Sequence, residues 1–108
     1  MTQEELNERI RKHEQWLRGE EGGERLDICA KDDVRGLDFD GGDLRSAFFQ
    51  GVDLSFTSFY ATDLKNAYLD EAIFDHTDFD RATITYDEDL ILQLAEDIKK
   101  SEKEENQQ

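Results

Sequence analysis

The sequence predicts an all-β core, a coil built from a five-residue unit, with an α-helix on either side of it. Every fifth residue from Val34 onward is large and apolar: Val34, Phe39, Leu44, Phe49, Leu54, Phe59, Leu64, Leu69, Phe74, Phe79 and Ile84. The residue two places before each of these is small from Gly42 to Ala82, with Val52 counted among the small ones and Asp32 and Leu37 as departures. Between the two stands Asp at 33, 38, 43, 53, 63 and 78. A period of five matches neither the helix period of 3.6 nor the strand period of 2. It fits a chain that turns a corner after every pentad, with the large and small positions pointing inward together. Stacked coils then pair their backbones around one apolar column, so each unit depends on its neighbours.

The elements follow in order within one domain, residues 1–108. A helix is expected over residues 2–18. Thr2 and Glu5 have capping-box spacing, and Leu6, Ile10, His13 and Leu17 fall on one face with Trp16 beside it. Gly19 stops it, and Gly19 to Gly23 reads as a flexible joint. The coil is expected over 24–86, regular from 32. Leu26-Asp27-Ile28 looks like an extra unit, but Ile28 to Val34 is six residues, which predicts a bulge near Cys29-Ala30-Lys31 or a disruption of the first coil there. A second helix is expected over 87–101, capped by Asp87 and striped by Leu90, Ile91, Leu94, Ala95 and Ile98. The charged tail 102–108 is expected to fray.

Gly42-Asp43-Leu44-Arg45-Ser46, Thr62-Asp63-Leu64-Lys65-Asn66, Ala67-Tyr68-Leu69-Asp70-Glu71 and Thr77-Asp78-Phe79-Asp80-Arg81 resemble the A-(D/N)-L-x-x unit of the pentapeptide-repeat family. The lead-in His13-Glu-Gln-Trp16-Leu17, followed by Gly22-Gly-Glu-Arg25-Leu-Asp-Ile28, resembles that of many small members. The resemblance implies a right-handed quadrilateral β-helix with four pentads per coil. Positions twenty apart then stack, placing Phe39, Phe59 and Phe79 in one inward ladder and Leu44, Leu64 and Ile84 in another. At roughly 4.8 Å per coil, the regular rod is only about 13 Å long.

With 28 acids against 13 Lys and Arg, the net charge is −15. That balance disfavours direct binding to nucleic acid or to anionic membrane and favours basic partners. Cys29 is the only cysteine, so no intrachain disulfide can form and a reducing compartment fits best. The polar first residues lack the apolar core of a signal peptide, and no run approaches the roughly 18 apolar residues of a membrane span. A cytoplasmic protein is expected.

Two surfaces stand out once the coil is drawn. The side of Phe39, Phe59 and Phe79 shows Asp38 and Asp40, Ser58 and Tyr60, then Asp78 and Asp80, with no flanking base. The next pairs Asp43 with Arg45 and Asp63 with Lys65, which should largely cancel. The following side carries Phe48 and Tyr68 in the outward slot usually given to Asp, with Asp70 and Glu71 beside them. The candidate partner-binding acids are therefore Asp38, Asp40, Asp78 and Asp80, joined by Asp70 and Glu71. Phe48, Tyr68 and Tyr60 are candidates for a partner or dimer contact, unless a terminal helix buries Phe48 and Tyr68.

Chemistry is harder to find. His13 and His76 are the only histidines, and neither lies in a motif with Cys or a second His. Ser46, Ser55 and Ser58 occupy no nucleophile motif. No enzyme activity, cofactor or metal is expected. The resemblance, together with the acidity, implies a protein that mimics nucleic-acid charge. Its partner would be a basic nucleic-acid-binding protein of nuclease or topoisomerase class, and by analogy with small acidic inhibitors a phage or mobile-element inhibitor of a CRISPR-type defence nuclease. DNA gyrase is a partner of better-known family members, which are longer rods. A general interaction or assembly module, with a homodimer through the Phe48/Tyr68 side, is the alternative.

Overall fold

The computed structural model describes residues 1–85. Helix α1 spans Gln3–Leu17. Thr2 caps it, its hydroxyl oxygen accepting the Glu5 N–H at 3.1 Å. Leu6 and His13 are buried on the inner face, and Ile10 and Leu17 are half-buried. After α1 the chain makes a tight return where the glycines suggested a flexible joint. The Glu24 N–H donates to the Lys12 carbonyl at 3.0 Å, and a Cβ on Gly23 would stand 2.3 Å from the Trp16 nitrogen. The missing side chain serves close packing against the helix backbone.

From Leu26 the chain winds as a β-helix-type coil whose straight sections are very short. Among the described residues only β1 (Asp63–Leu64) and β2 (Thr83–Ile84) form strands, pairing in parallel with Asp63 opposite Thr83. Elsewhere single parallel bridges join Asp38 to Ser58, Ser58 to Asp78, Asp43 to Asp63, Phe48 to Tyr68 and Asp53 to Ile73. Each of these partners stands twenty residues away, the length of four pentads. Asp27 and Phe48 are twenty-one apart. The extra residue lies in the Cys29–Asp32 turn, closed by the Asp32 N–H on the Cys29 carbonyl at 2.9 Å and by the Cys29 N–H on the Asp32 carboxylate at 3.1 Å.

Every pentad from Val34 to Phe79 closes the same corner. The N–H three residues on donates back to the carbonyl of the large residue, as from Ala47 to Leu44 at 3.1 Å and from Ala72 to Leu69 at 3.1 Å. The third corner residue always has positive φ, from Gly36 through Gly41, Ser46, Gly51, Phe56, Ala61, Asn66, Glu71 and His76 to Arg81. Positive φ at that place alone is the mark of a type II turn.

The large residues Val34 to Phe74 are buried in one column, and Phe79 and Ile84 are half-buried near its end. Phe59 stacks on Phe39 at 4.5 Å and on Phe79 at 5.4 Å, and Phe49 meets Phe39 and Phe59 edge-on. Threonine is tolerated inside because corner carbonyls take its hydroxyl: Thr57 and Thr77 donate to Leu54 at 2.6 and 2.7 Å, and Thr62 to Phe39 at 2.9 Å.

The first coil leaves backbone groups with no earlier coil to meet them, a liability of any open sheet edge. Helix α1 lies across that edge and supplies the partners from its side chains. Gln3 bonds Asp38, Arg9 donates to the Asp27 carbonyl at 2.7 Å, and Glu14 accepts the Asp43 N–H at 3.3 Å. His13 engages both Leu26 and Arg45, and the terminal ammonium donates to the Asp33 carbonyl at 3.3 Å. The helix expected over 87–101 and the tail after it lie outside the described residues.

Candidate functional site

The outward side chains fall into columns set by the bridges. In the acidic column, Asp38, Ser58 and Asp78 stand in line, with Asp40, Tyr60 and Asp80 two residues on. Local bonds hold the carboxylates in place. Asp38 accepts the Asp40 N–H at 2.7 Å, Asp78 accepts the Asp80 N–H at 2.8 Å, and Asp40 accepts the Tyr60 N–H at 2.9 Å and the Ser58 hydroxyl. A base does approach this column: the Arg81 guanidinium lies 5.9 Å from the Tyr60 ring centre. The corner after Asp80 brings it there, which counting the residues beside each Phe does not reveal. A groove of about 430 Å³ separates the column from α1, lined by Asn7, Ile10 and Glu14 on one wall and Asp38, Asp40 and Gly42 on the other.

Asp70 and Glu71 are exposed but do not belong to this column; they follow Tyr68 on another. Tyr60, conversely, stands among the acids and not with Phe48 and Tyr68. The candidate acids thus divide into a set of four and a separate pair.

Phe48 and Tyr68 stack at 4.5 Å. What covers Phe48 is Arg25, whose guanidinium sits 3.7 Å from the Phe48 ring centre and 5.4 Å from those of Trp16 and Tyr68, anchored by its Nε donating to the Ser46 carbonyl at 2.7 Å. Tyr68 stays 46% exposed. Among the described residues, a loop arginine lies over Phe48.

The third column neutralises itself in part. Arg45 donates to both carboxylate oxygens of Asp43 at 2.7 and 2.8 Å and approaches Asp63 at 4.0 Å. That guanidinium holds the Asp43 carboxyl below its ordinary pKa. The last column exposes apolar side chains at an Asp slot and at a corner. Ile73 fills an outward Asp slot beside Asp53 and is 50% exposed, and Phe56 is 60% exposed and stacked on His76 at 5.0 Å. An apolar residue in the Asp slot was visible in the sequence; the corner stack was not.

Among the described residues, no group of three or more His, Cys, Asp and Glu side chains is placed to hold a metal ion, and no helix is long and apolar enough to cross a membrane. Cys29 is an exposed free thiol. The described residues form a β-helix-type scaffold with a buried apolar core and distinct outward columns. Residues 49–85 match the pentapeptide repeats in eight copies, so that segment is a run of pentapeptide repeats. No curated protein matches the chain.

Proposed function

We propose that this chain is a non-enzymatic cytoplasmic binding module that presents nucleic-acid-like charge to a basic protein. The coil is inferred to be four-sided, from partners spaced four pentads apart, and right-handed, as parallel crossover connections almost always are. The reading rests on charge density. From Asp32 to Tyr86, twelve acids against four bases leave eight net negative charges. Spread over about 13 Å of rod, that is one per roughly 1.6 Å, close to the one per roughly 1.7 Å of duplex DNA. Asp38, Asp40, Asp78 and Asp80 are the partner-facing acids, and the partner class is a nuclease or topoisomerase that handles DNA or RNA, a CRISPR-type defence nuclease included. The rod matches only about four base pairs at 3.4 Å each, which favours a compact basic site over the long DNA path of a gyrase.

The test is capture of partners on the immobilised full-length chain, followed by elution with a short DNA duplex or with NaCl. Duplex-competed, salt-sensitive binding that a fourfold Asp→Asn variant at 38, 40, 78 and 80 loses is the expected result. Binding that survives those substitutions refutes the reading. The exposed Tyr68, Phe56 and Ile73 favour a second one, an assembly module. It predicts concentration-dependent dimerisation in sedimentation that Tyr68→Asp abolishes.

A further inference from the structure

Among the side chains that fasten α1 to the coil, His13 is the one whose bonding capacity a single proton changes near neutral pH. Its ring is fully buried and both nitrogens are committed. Nδ1 accepts the Leu26 N–H at 2.8 Å, so it carries no proton. The neutral ring therefore has its proton on Nε2, which donates to the Arg45 carbonyl at 2.9 Å. One imidazole thus ties the helix to two segments of the coil, the start of the first turn and the corner after Leu44.

We infer that His13 is an acid-sensitive latch, and that a proton on its ring undocks α1 from the edge of the first coil. A second ring proton has only Nδ1 to bind, where it would face the Leu26 N–H, donor against donor. The Leu26 amide then loses its acceptor in a site from which water is excluded, and the ring gains a charge there.

The charged neighbours do not rescue the docked state. Asp43 faces the ring from the coil, but both of its carboxylate oxygens are already bonded to Arg45. Glu14, on α1 itself, has an oxygen directed at the Asp43 N–H. Arg25, from the segment after the helix, opposes a second positive charge. Burial outweighs the two carboxylates and holds the His13 pKa below its ordinary value of about 6.5. The released helix regains that ordinary value, so protons favour release.

The consequence is mechanical. Undocking removes Gln3 from Asp38, Arg9 from Asp27 and Glu14 from Asp43 together, because all three ride on the same helix. It uncovers the first coil's edge and the buried Leu6 and Leu26, while the coils beyond keep their own pairing. The N-terminal cap is a unit that opens as one.

Amide hydrogen exchange of the full chain between pH 7.5 and pH 5 tests this, with rates corrected for intrinsic chemistry. Exchange at Leu26 and Asp38 is expected to rise as pH falls below roughly 6.5, by at most the tenfold per pH unit of a one-proton event, while Phe59 in the middle coil stays protected. His76→Gln is expected to leave the transition unchanged. His13→Gln, which keeps an acceptor and a donor but cannot titrate, is expected to abolish it. Unchanged Leu26 protection in the native chain overturns the latch, and so does simultaneous loss of protection at Phe59. A transition that persists in His13→Gln also overturns it. Should that variant fail to fold, the His13 ring is followed by NMR in the native chain: a midpoint coinciding with Leu26 opening supports the latch, and separate midpoints overturn it.

Discussion

The carboxamide of Gln3 pairs with both backbone groups of Asp38, accepting its N–H at 2.8 Å and donating to its carbonyl at 2.7 Å. One coil further on, the same two groups of Ser58 meet backbone instead, the Leu37 carbonyl at 3.1 Å and the Phe39 N–H at 2.8 Å. A side chain on α1 therefore stands in for a missing coil. Gln3→Ala is expected to cost about 1 kcal/mol, the usual net worth of exchanged hydrogen bonds at a partly wet site. Gln3→Glu is expected to cost at least as much, since a carboxylate cannot donate to the Asp38 carbonyl. Both effects are read as a lowered urea midpoint at unchanged slope.

Corner geometry makes opposite predictions for two similar substitutions. Gly51 and Ala61 occupy the same place in their corners, with φ of 70° and 55°, and a Cβ on Gly51 would meet nothing within 4 Å. In the folded chain only backbone strain then separates glycine from alanine. Gly51→Ala is expected to lose about 1 kcal/mol. Ala61→Gly is expected to gain about 0.5 kcal/mol, because relief of that strain exceeds the entropy glycine adds to the unfolded chain. Equal signs in thermal or urea melts would contradict the type II assignment.

The corners are the part of the fold least visible in the sequence. The apolar register from Val34 to Ile84 was legible because the coil's interior admits one kind of side chain at each step. The bulge near Cys29 was legible as a count of six. The positive-φ places were not, because only Gly36, Gly41, Gly51 and Asn66 among the ten belong to types that favour that conformation. At Phe56, Glu71 and Arg81 the stacked coils impose it. Helix periodicity put His13 on the inner face of α1 but could not say that it faced two backbone groups. The pentad count places Asp38, Asp40, Asp78 and Asp80 on one side and Asp70 and Glu71 beside Tyr68 on another, but it does not place Arg81 near Tyr60. Neighbours along the chain are separated in space by a corner every five residues.

Asp33 and Arg35 give a prediction in pH. Arg35 donates to both carboxylate oxygens of Asp33 at 3.0 Å, and these bonds lower the Asp33 pKa to about 2. A depressed carboxyl supports the fold above its unfolded pKa of about 3.9 and loses that support as pH falls through the folded value. Both side chains are exposed, so the effect on stability is expected to be small. The titration itself is the observable: carboxyl NMR should show Asp33 still ionised near pH 3, and Arg35→Gln should move it back toward the ordinary range.

Added salt should act on folding and on partner binding with opposite signs. A chain of net charge −15 repels itself when compact, and screening at a Debye length of about 10 Å or less weakens that repulsion. Raising NaCl from about 0.05 M to about 0.5 M is therefore expected to stabilise the fold by on the order of 1 kcal/mol. The same screening weakens capture of a basic partner. Asparagine at 38, 40, 78 and 80 keeps an oxygen to accept the Asp40, Tyr60 and Asp80 amides, so the fourfold variant should fold, gain less from salt, and lose the salt-sensitive capture of the partner. Loss of folding in that variant would mean the carboxylates hold the coil itself, through charge-assisted bonds stronger than an amide provides. Retained folding with lost binding assigns the charge of this column to recognition.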